Sequence, residues 1–275
     1  ILKKAYFWLI LITIVWGTTF PLQKLALNGI STSTYISLRF WIASIVSFVV
    51  WRKHSFKYGV ILGLVFAGSF IAQTYGLSLT TASKNGFITS LYIIMVPFFS
   101  YIIEKEKPSV FQYFGFPMAL LGSYFMAGGL SGFNLGDLLT FISAVGYAVH
   151  IVLLTIISKK VDETSILSFQ FLTVAVITTF MSIGSGVQYN YLSVSVAAYT
   201  AIFATVIATF LQARYQKVVS SNTAALIFVG EPIFSAFFSF LILKEQLSSR
   251  QFFGAAILIG ALVFASFRKK QQQPL

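Results

Sequence analysis

The 275-residue chain predicts an all-α integral membrane protein, with ten transmembrane helices arranged as two inverted five-helix repeats. Three observations carry that prediction. First, 57% of the residues are apolar and only 9% are charged, whereas a soluble domain carries about 25% charged residues. Second, the apolar residues fall into ten runs, each close to the roughly 20 residues that cross a bilayer core about 30 Å thick. Third, a segment of the first half recurs without a gap in the second, an odd number of spans later.

The runs lie near 5–26, 33–51, 58–80, 84–103 and 109–127, then near 136–158, 164–184, 195–216, 222–243 and 250–268. Basic residues mark most of their ends. Lys3 and Lys4 precede the first run, Arg52, Lys53 and Lys57 separate the second from the third, and Lys105 and Lys107 follow the fourth. Lys159 and Lys160 close the sixth, Arg214 and Lys217 close the eighth, and Arg268, Lys269 and Lys270 follow the tenth. The longest connection, "SIGSGVQYNYLS", is uncharged, and no soluble domain interrupts the array. The chain starts at Ile1 and not at Met, which implies native residues before it. Its first apolar run is too long for a cleavable signal peptide and lacks a small-residue cleavage site.

With the N-terminus in the cytoplasm, fourteen of the 19 Lys and Arg residues fall inside. Lys24, Lys84, Lys244 and Arg250 fall outside, and Arg39 lies within a span. That asymmetry is the positive-inside bias. It places both termini in the cytoplasm and removes nucleic acid as an explanation of the +12 net charge. Cysteine is absent, which excludes disulfides, Cys-based metal sites and a Cys nucleophile.

"KEKPSVFQYFG" (105–115) aligns with "KEQLSSRQFFG" (244–254) at an offset of 139, and the register extends back to Gln73 over Gln212. Phe98/Phe237, Ser100/Ser239, Glu106/Glu245 and Gly115/Gly254 are identical. Five spans separate the copies, so the second sits upside down in the membrane. The expected halves are 1–130 and 131–275. Inverted repeats with a midplane site beside broken helices are the usual architecture of secondary transporters.

"GLSLTTASKNGFITSLYIIMVPFFSYIIEKEKPS", "AVGYAVHIVLL" and "SSNTAALIFVGEPIFSAFFSFLILKEQLS" together resemble the drug/metabolite transporter superfamily, specifically its EamA-type domains. The resemblance covers essentially the whole chain. It implies ten helices, cytoplasmic termini, a central cavity between two halves, and transport of small metabolites such as amino acids or drugs, commonly their export. It also implies a bacterial inner-membrane location. In family terms "WG" in the first span and "YA" in the sixth look equivalent, which sets Trp16 and Tyr147 at matching cavity positions.

Polar residues deep in the spans are the candidate site. Glu231 is the one acid far from a span end, and an ionised side chain at that depth costs about 2.5–3.5 kcal/mol on insertion scales unless it faces a cavity or a partner. It is a candidate proton carrier or counter-ion, or else a packing feature. His150 lies at comparable depth and is a second coupling candidate, since histidine shuttles protons near neutral pH. Tyr147 precedes it by three residues and shares its helix face, as Trp16 does for Thr19. Gln73 and Gln212 are repeat equivalents that either bind a polar substrate or join helices, with Tyr75 nearby. Tyr92 is the repeat counterpart of Glu231.

Pro232 withdraws the helical hydrogen bond from the Phe228 carbonyl, as Pro97 does at Ile93 and Pro21 at Gly17. These three are candidate hinges or helix breaks. In the repeat register Pro97 faces Ala236, so the breaks are expected one helical turn apart. Arg39 is too deep for an ordinary loop charge, and snorkelling, pairing and anion attraction are all open to it. Lys84 and Asn85 are expected at the mouth of the fourth span, as entrance residues or a solvated cap. The pairs Gly59/Gly63 and Ala256/Gly260 suit close helix packing, whether within the chain or between copies. A monomer is compatible with the sequence.

The pattern favours a secondary active transporter with alternating access, an exporter, with protons as the candidate coupling ion. A passive facilitator of the same fold is the alternative. No Walker-type nucleotide loop occurs in the chain, and no cofactor is called for. An enzyme is disfavoured, because His54 and Arg52 lie in a loop and no paired carboxylates or metal-ligand clusters occur in the spans. The partners expected are the lipid bilayer and a small-molecule substrate.

Overall fold

A computed structural model describes residues 1–266 except 106, 108, 127–131, 186–188 and 229. All regular structure among these residues is helical. The first five predicted runs become α1 (Leu2–Ala26), α2 (Thr32–Val50), α3 (Phe56–Leu79), the pair α4 (Ala82–Thr89) and α5 (Tyr92–Glu104), and α6 (Val110–Met126). The rest form α7 (Leu135–Lys160), α8 (Glu163–Ser182), α9 (Tyr191–Tyr199), a π-helical stretch Thr200–Ile207, α10 (Ala208–Val219), the pair α11 (Ser221–Ile227) and α12 (Gly230–Leu243), and α13 (Ser249–Ser266). Eight of the resulting segments are long and apolar enough to cross a membrane among the described residues. At a rise of 1.5 Å per residue, the 25 residues of α1 reach about 37 Å, enough to cross the hydrocarbon with some tilt. The shorter α6 and α13 occupy the places of the fifth and tenth runs and pack on each other. Glu106 and the basic tail 268–270 lie outside the described residues.

Local chemistry fixes the helix starts. Ser31 Oγ accepts from the Thr34 N–H at the start of α2, and Thr81 Oγ1 does the same for the Lys84 N–H of α4. Asn134 and Asp137 form a reciprocal capping box on α7. Lys105 (φ 62°) ends α5 and Lys244 (φ 58°) ends α12, both in the left-handed region that glycine usually takes at this position. These two lysines are the first residues of the matching "KEKPS" and "KEQLS" segments.

The helices interlock across the chain. α1 packs on α12 and α10, while α7 packs on α5 and α3; α4 touches α12, and α11 touches α5. Two glycines let α12 approach closely. A side chain at Gly17 would strike the backbone and Cβ of Phe234, and one at Gly86 would strike Ser235. Gly59 and Gly63 are used the same way inside the chain, against Phe169 and Thr173 of α8, whereas Gly260 faces open space.

Two expectations are corrected here. The interruptions of the two broken helices fall at matching places, not one turn apart. α4 ends at Thr89 and α5 begins at Tyr92, while α11 ends at Ile227 and α12 begins at Gly230. Pro97 lies inside α5 and Pro21 inside α1. Pro232 falls in the first turn of α12, where the missing N–H has no helical acceptor to lose. Lys84 and Asn85 do not sit at an open mouth. Lys84 Nζ pairs with Asp137 Oδ2 at 2.8 Å, and Asn85 is buried with its amide donating to Thr140 Oγ1 at 2.6 Å and to the Gln73 carbonyl at 3.2 Å. Lys84 joins α4 to α7, and Asn85 joins it to α7 and α3, because a buried charge or amide needs partners and these helices supply them.

Candidate functional site

Where the two broken helices approach α1, α3 and α7, they leave a cavity with about 610 Å³ of empty space, part of it continuous with the surroundings. Trp16, Thr19, Gln73, Tyr92, Tyr147, His150, Gln212 and Glu231 all line it. Tyr75 does not. It lies two residues from Gln73, which on a 3.6-residue helix turns it to nearly the opposite face.

The centre of the site is a bond between repeat equivalents. Tyr92 starts α5 and Glu231 stands in the first turn of α12, and the Tyr92 Oη–H donates to Glu231 Oε2 at 2.6 Å. Both side chains are buried. The helix breaks make this contact possible, since each residue stands at the N-terminal end of a half-helix instead of deep in a continuous one. A carboxylate in the first turn also suits the positive end of the helix dipole. The Tyr147 ring meets the Tyr92 ring edge-on, with centroids 6.4 Å apart. Tyr147 Oη–H in turn donates to Gln73 Oε1 at 2.8 Å, and Gln73 Nε2 donates to Thr89 Oγ1 at 3.2 Å. Gln73 therefore ties α7 to the end of α4.

Its counterpart Gln212 is held differently. Gln212 Nε2 donates to Gln216 Oε1 at 2.9 Å, and Gln216 Nε2 donates to the Ile151 carbonyl at 2.7 Å and Thr155 Oγ1 at 2.6 Å. His150 stacks on Phe66 with centroids 4.7 Å apart, and its Nε2 has no hydrogen-bond partner among the described residues. Thr19 Oγ1 donates to the Trp16 carbonyl at 2.7 Å, which leaves the hydroxyl oxygen as an acceptor toward the cavity.

The π-helical stretch supplies the wall beside α1. The Ala208 N–H reaches the Phe203 carbonyl, five residues back, so the Ala204 carbonyl is not held by the usual helical donor. The Trp16 indole N–H donates to that carbonyl at 3.1 Å. Next to it, Thr205 Oγ1 accepts from Arg39 Nε at 2.8 Å. Arg39 also donates from Nη1 to Gln23 Oε1 at 3.2 Å and covers the Phe70 face at 4.5 Å. Only 3% of Arg39 is exposed, so it turns inward and lines the cavity; it does not snorkel.

Sequence reasoning left Gln23, Phe66, Phe70, Thr89 and Thr209 out of the site. A signal for some of them was available. Trp16, Thr19 and Gln23 are spaced i, i+3, i+7, and Phe66, Phe70 and Gln73 are spaced i, i+4, i+7, so each set is one helix face. The π-helical stretch, whose residues are as apolar as any α-helical span, had no such signal.

Polar and ionic contacts away from the cavity close the two ends of the bundle. At one end the Glu245 carboxylate accepts from the Ala82 and Ser83 backbone N–H groups, both at 2.9 Å, and from Ser83 Oγ at 2.7 Å. At the other, Glu104 Oε2 accepts from Ser221 Oγ at 2.8 Å, and Lys217 pairs with Glu163 at 2.5 Å. Asp162 caps α8 there, where bonds from the Thr164 hydroxyl and N–H, helped by Lys53, hold its carboxyl below the ordinary aspartate range.

The model of the EamA-like transporter family matches twice, over residues 3–128 and 134–267. An uncharacterized transporter of Archaeoglobus fulgidus is 31% identical over 262 residues, covering 94% of this chain and 85% of the relative. The uncharacterized transporter YetK of Bacillus subtilis is 25% identical over 281 residues, covering 93% and 84%. A solved crystal structure superposes with a TM-score of 0.74 at 18% identity, covering 96% of both chains, which is a likeness of fold. The chain belongs to the EamA-like transporter family.

Proposed function

We propose that the protein is a secondary active transporter of small organic metabolites, built from inverted halves 1–130 and 131–275 that together make ten spans. The observation that carries the reading is the buried Tyr92–Glu231 bond, which joins matching positions of the two interrupted helices in the wall of a central cavity. Discontinuous helices meeting at a midplane site are how such transporters expose backbone and polar groups to a solute. The repeat is supported by the matching interruptions, by the left-handed Lys105 and Lys244, and by the reciprocal packing of α1 on α12 and α7 on α5.

Alternating access then amounts to rocking one set of helices against the other around the cavity, with the Glu245 and Glu104 contacts as closures of opposite ends. The positive-inside count supports cytoplasmic termini, and the family resemblance implies a bacterial inner membrane. Export is the direction the family resemblance implies. Protons couple through Glu231 or His150, the carboxyl and the imidazole of the cavity wall. The protein acts without catalysing a covalent reaction.

The test is solute movement in proteoliposomes under an imposed proton gradient. Uphill accumulation that collapses with the gradient supports the reading. A Glu231→Gln protein that still concentrates solute removes Glu231 from coupling and leaves His150, while purely downhill flux favours the passive facilitator.

A further inference from the structure

The cavity wall carries two formal charges of opposite sign, Arg39 on α2 and Glu231 on α12. Neither forms an ion pair among the described residues. Arg39 is held by neutral acceptors, Thr205 and Gln23, and Glu231 by the neutral Tyr92 hydroxyl. Burying a charge without an opposite partner is unfavourable, and a purely structural pair relieves that by contact. Here the two charges face the same space from different halves and stay apart.

The arrangement is not a product of the repeat. The counterpart of Glu231 is Tyr92. Aligning "SLRFW" with "SFQFL" puts Gln170 at the place of Arg39, and Gln170 is fully buried and not part of the cavity wall. Each half therefore contributes one charge at a position where the other half is neutral. Tyr147 lines the same wall.

Resting on the transport reading above, we infer that the solute is a small zwitterion, its anionic group bound by Arg39 and its ammonium group by Glu231. The guanidinium presents further N–H donors beyond the two in use, and its fork suits a carboxylate or another planar oxyanion. The apolar part of the cavity wall, including Trp16, Phe66 and Phe70, accepts an apolar body. A bound zwitterion supplies each buried charge with the partner it lacks.

The experiment uses the full chain in lipid nanodiscs and four compounds of one shape: leucine (both charges), isocaproate (anion only), isoamylamine (cation only) and isoamyl alcohol (neither). Binding is read by calorimetry or by the thermal shift. Leucine is expected to bind about tenfold more tightly than either singly charged compound. Arg39→Gln is expected to bring leucine down to the level of isoamylamine while leaving isoamylamine unchanged. Glu231→Gln is expected to bring it down to the level of isocaproate while leaving isocaproate unchanged.

Equal binding of the singly charged compounds and leucine overturns the inference, as does no binding of any of the four. So does an Arg39→Gln protein in which leucine and isoamylamine weaken together, since that marks Arg39 as a helix clamp only. The wild-type ranking requires no variant, and Arg39→Lys, which keeps the charge, is expected to preserve that ranking. Proteoliposomes that move isoamylamine or isoamyl alcohol with no preference for leucine defeat the zwitterion and leave the transport reading standing. Proteoliposomes that move no solute at all defeat the transport reading itself.

Discussion

Removing the Tyr92 hydroxyl by Tyr92→Phe deletes one hydrogen bond and almost no volume, so it isolates the bond at the centre of the site. Interhelical hydrogen bonds in membranes average about 0.6 kcal/mol, with the strongest near 1.7. Bonds to charged groups in soluble proteins contribute about 1.5–3 kcal/mol. The 2.6 Å Tyr92–Glu231 separation falls in the range of short charge-assisted O–H···O bonds, and the fully apolar replacement leaves a buried carboxyl oxygen without its donor. The expected loss is therefore about 1.5–2 kcal/mol, or a Tm lower by roughly 3–8 °C. The assay is thermal or denaturant unfolding in a fixed detergent, run on wild type, Tyr92→Phe, Glu231→Gln and the double variant. In the Glu231→Gln background the same tyrosine change is expected to cost about 0.6 kcal/mol, the neutral-bond value. A neutral Tyr92→Phe, or strictly additive single variants, would refute the claim that this bond holds the two interrupted helices together.

Four further outcomes follow from the geometry. Gly17→Ala places a methyl against the Phe234 backbone and is expected to cost about 1–3 kcal/mol by overpacking, read as a lower Tm with α1 and α12 forced apart. Glu245→Gln keeps one acceptor but removes the charge that draws three donors at the start of α4. It is expected to raise the labelling rate of an introduced Ser235→Cys, and the chain has no native cysteine to confuse the readout. Trp16→Phe releases the Ala204 carbonyl and is expected to destabilise by about 1 kcal/mol, read by unfolding in detergent. Asp162→Ala removes the α8 cap, at a cost of about 1 kcal/mol at neutral pH. Because the folded carboxyl sits below its ordinary value, that contribution is complete above the unfolded pKa near 3.9 and fades as pH falls through the folded one. A wild type and variant that differ equally at pH 7 and at pH 3 would contradict that assignment.

Much of this was legible in the residues. Apolar runs and their basic borders located the spans, because lipid forces the backbone to satisfy itself within each helix. Depth along a run was enough to single out Glu231 and His150, and the family resemblance marked Trp16 and Tyr147; all four line one cavity. The proline at 97 misled, because a helix of the right length absorbs an internal proline when its neighbours cover the freed carbonyl. The real break lies at Ser90–Leu91, in a stretch with no strong breaker at all. Lys84 looked like a surface charge for a similar reason, since its partner Asp137 is 53 residues away and only the fold brings them together. Tyr75 could have been set aside from its two-residue spacing to Gln73. The inward turn of Arg39 depends on Gln23 of α1 and on Thr205 of the π-helical stretch, and no local pattern announces that stretch.

In the proposed cycle one cavity, lined by residues of both halves, opens alternately to the two sides of the membrane. Thr209 lines it and is 3% exposed. A Thr209→Cys protein in vesicles, treated with a membrane-impermeant thiol reagent from one side or the other, tests the claim most directly. Labelling from both sides, with no ion leak through the vesicle membrane, is the predicted result. Labelling from neither side, or from one side alone under every gradient applied, would contradict it.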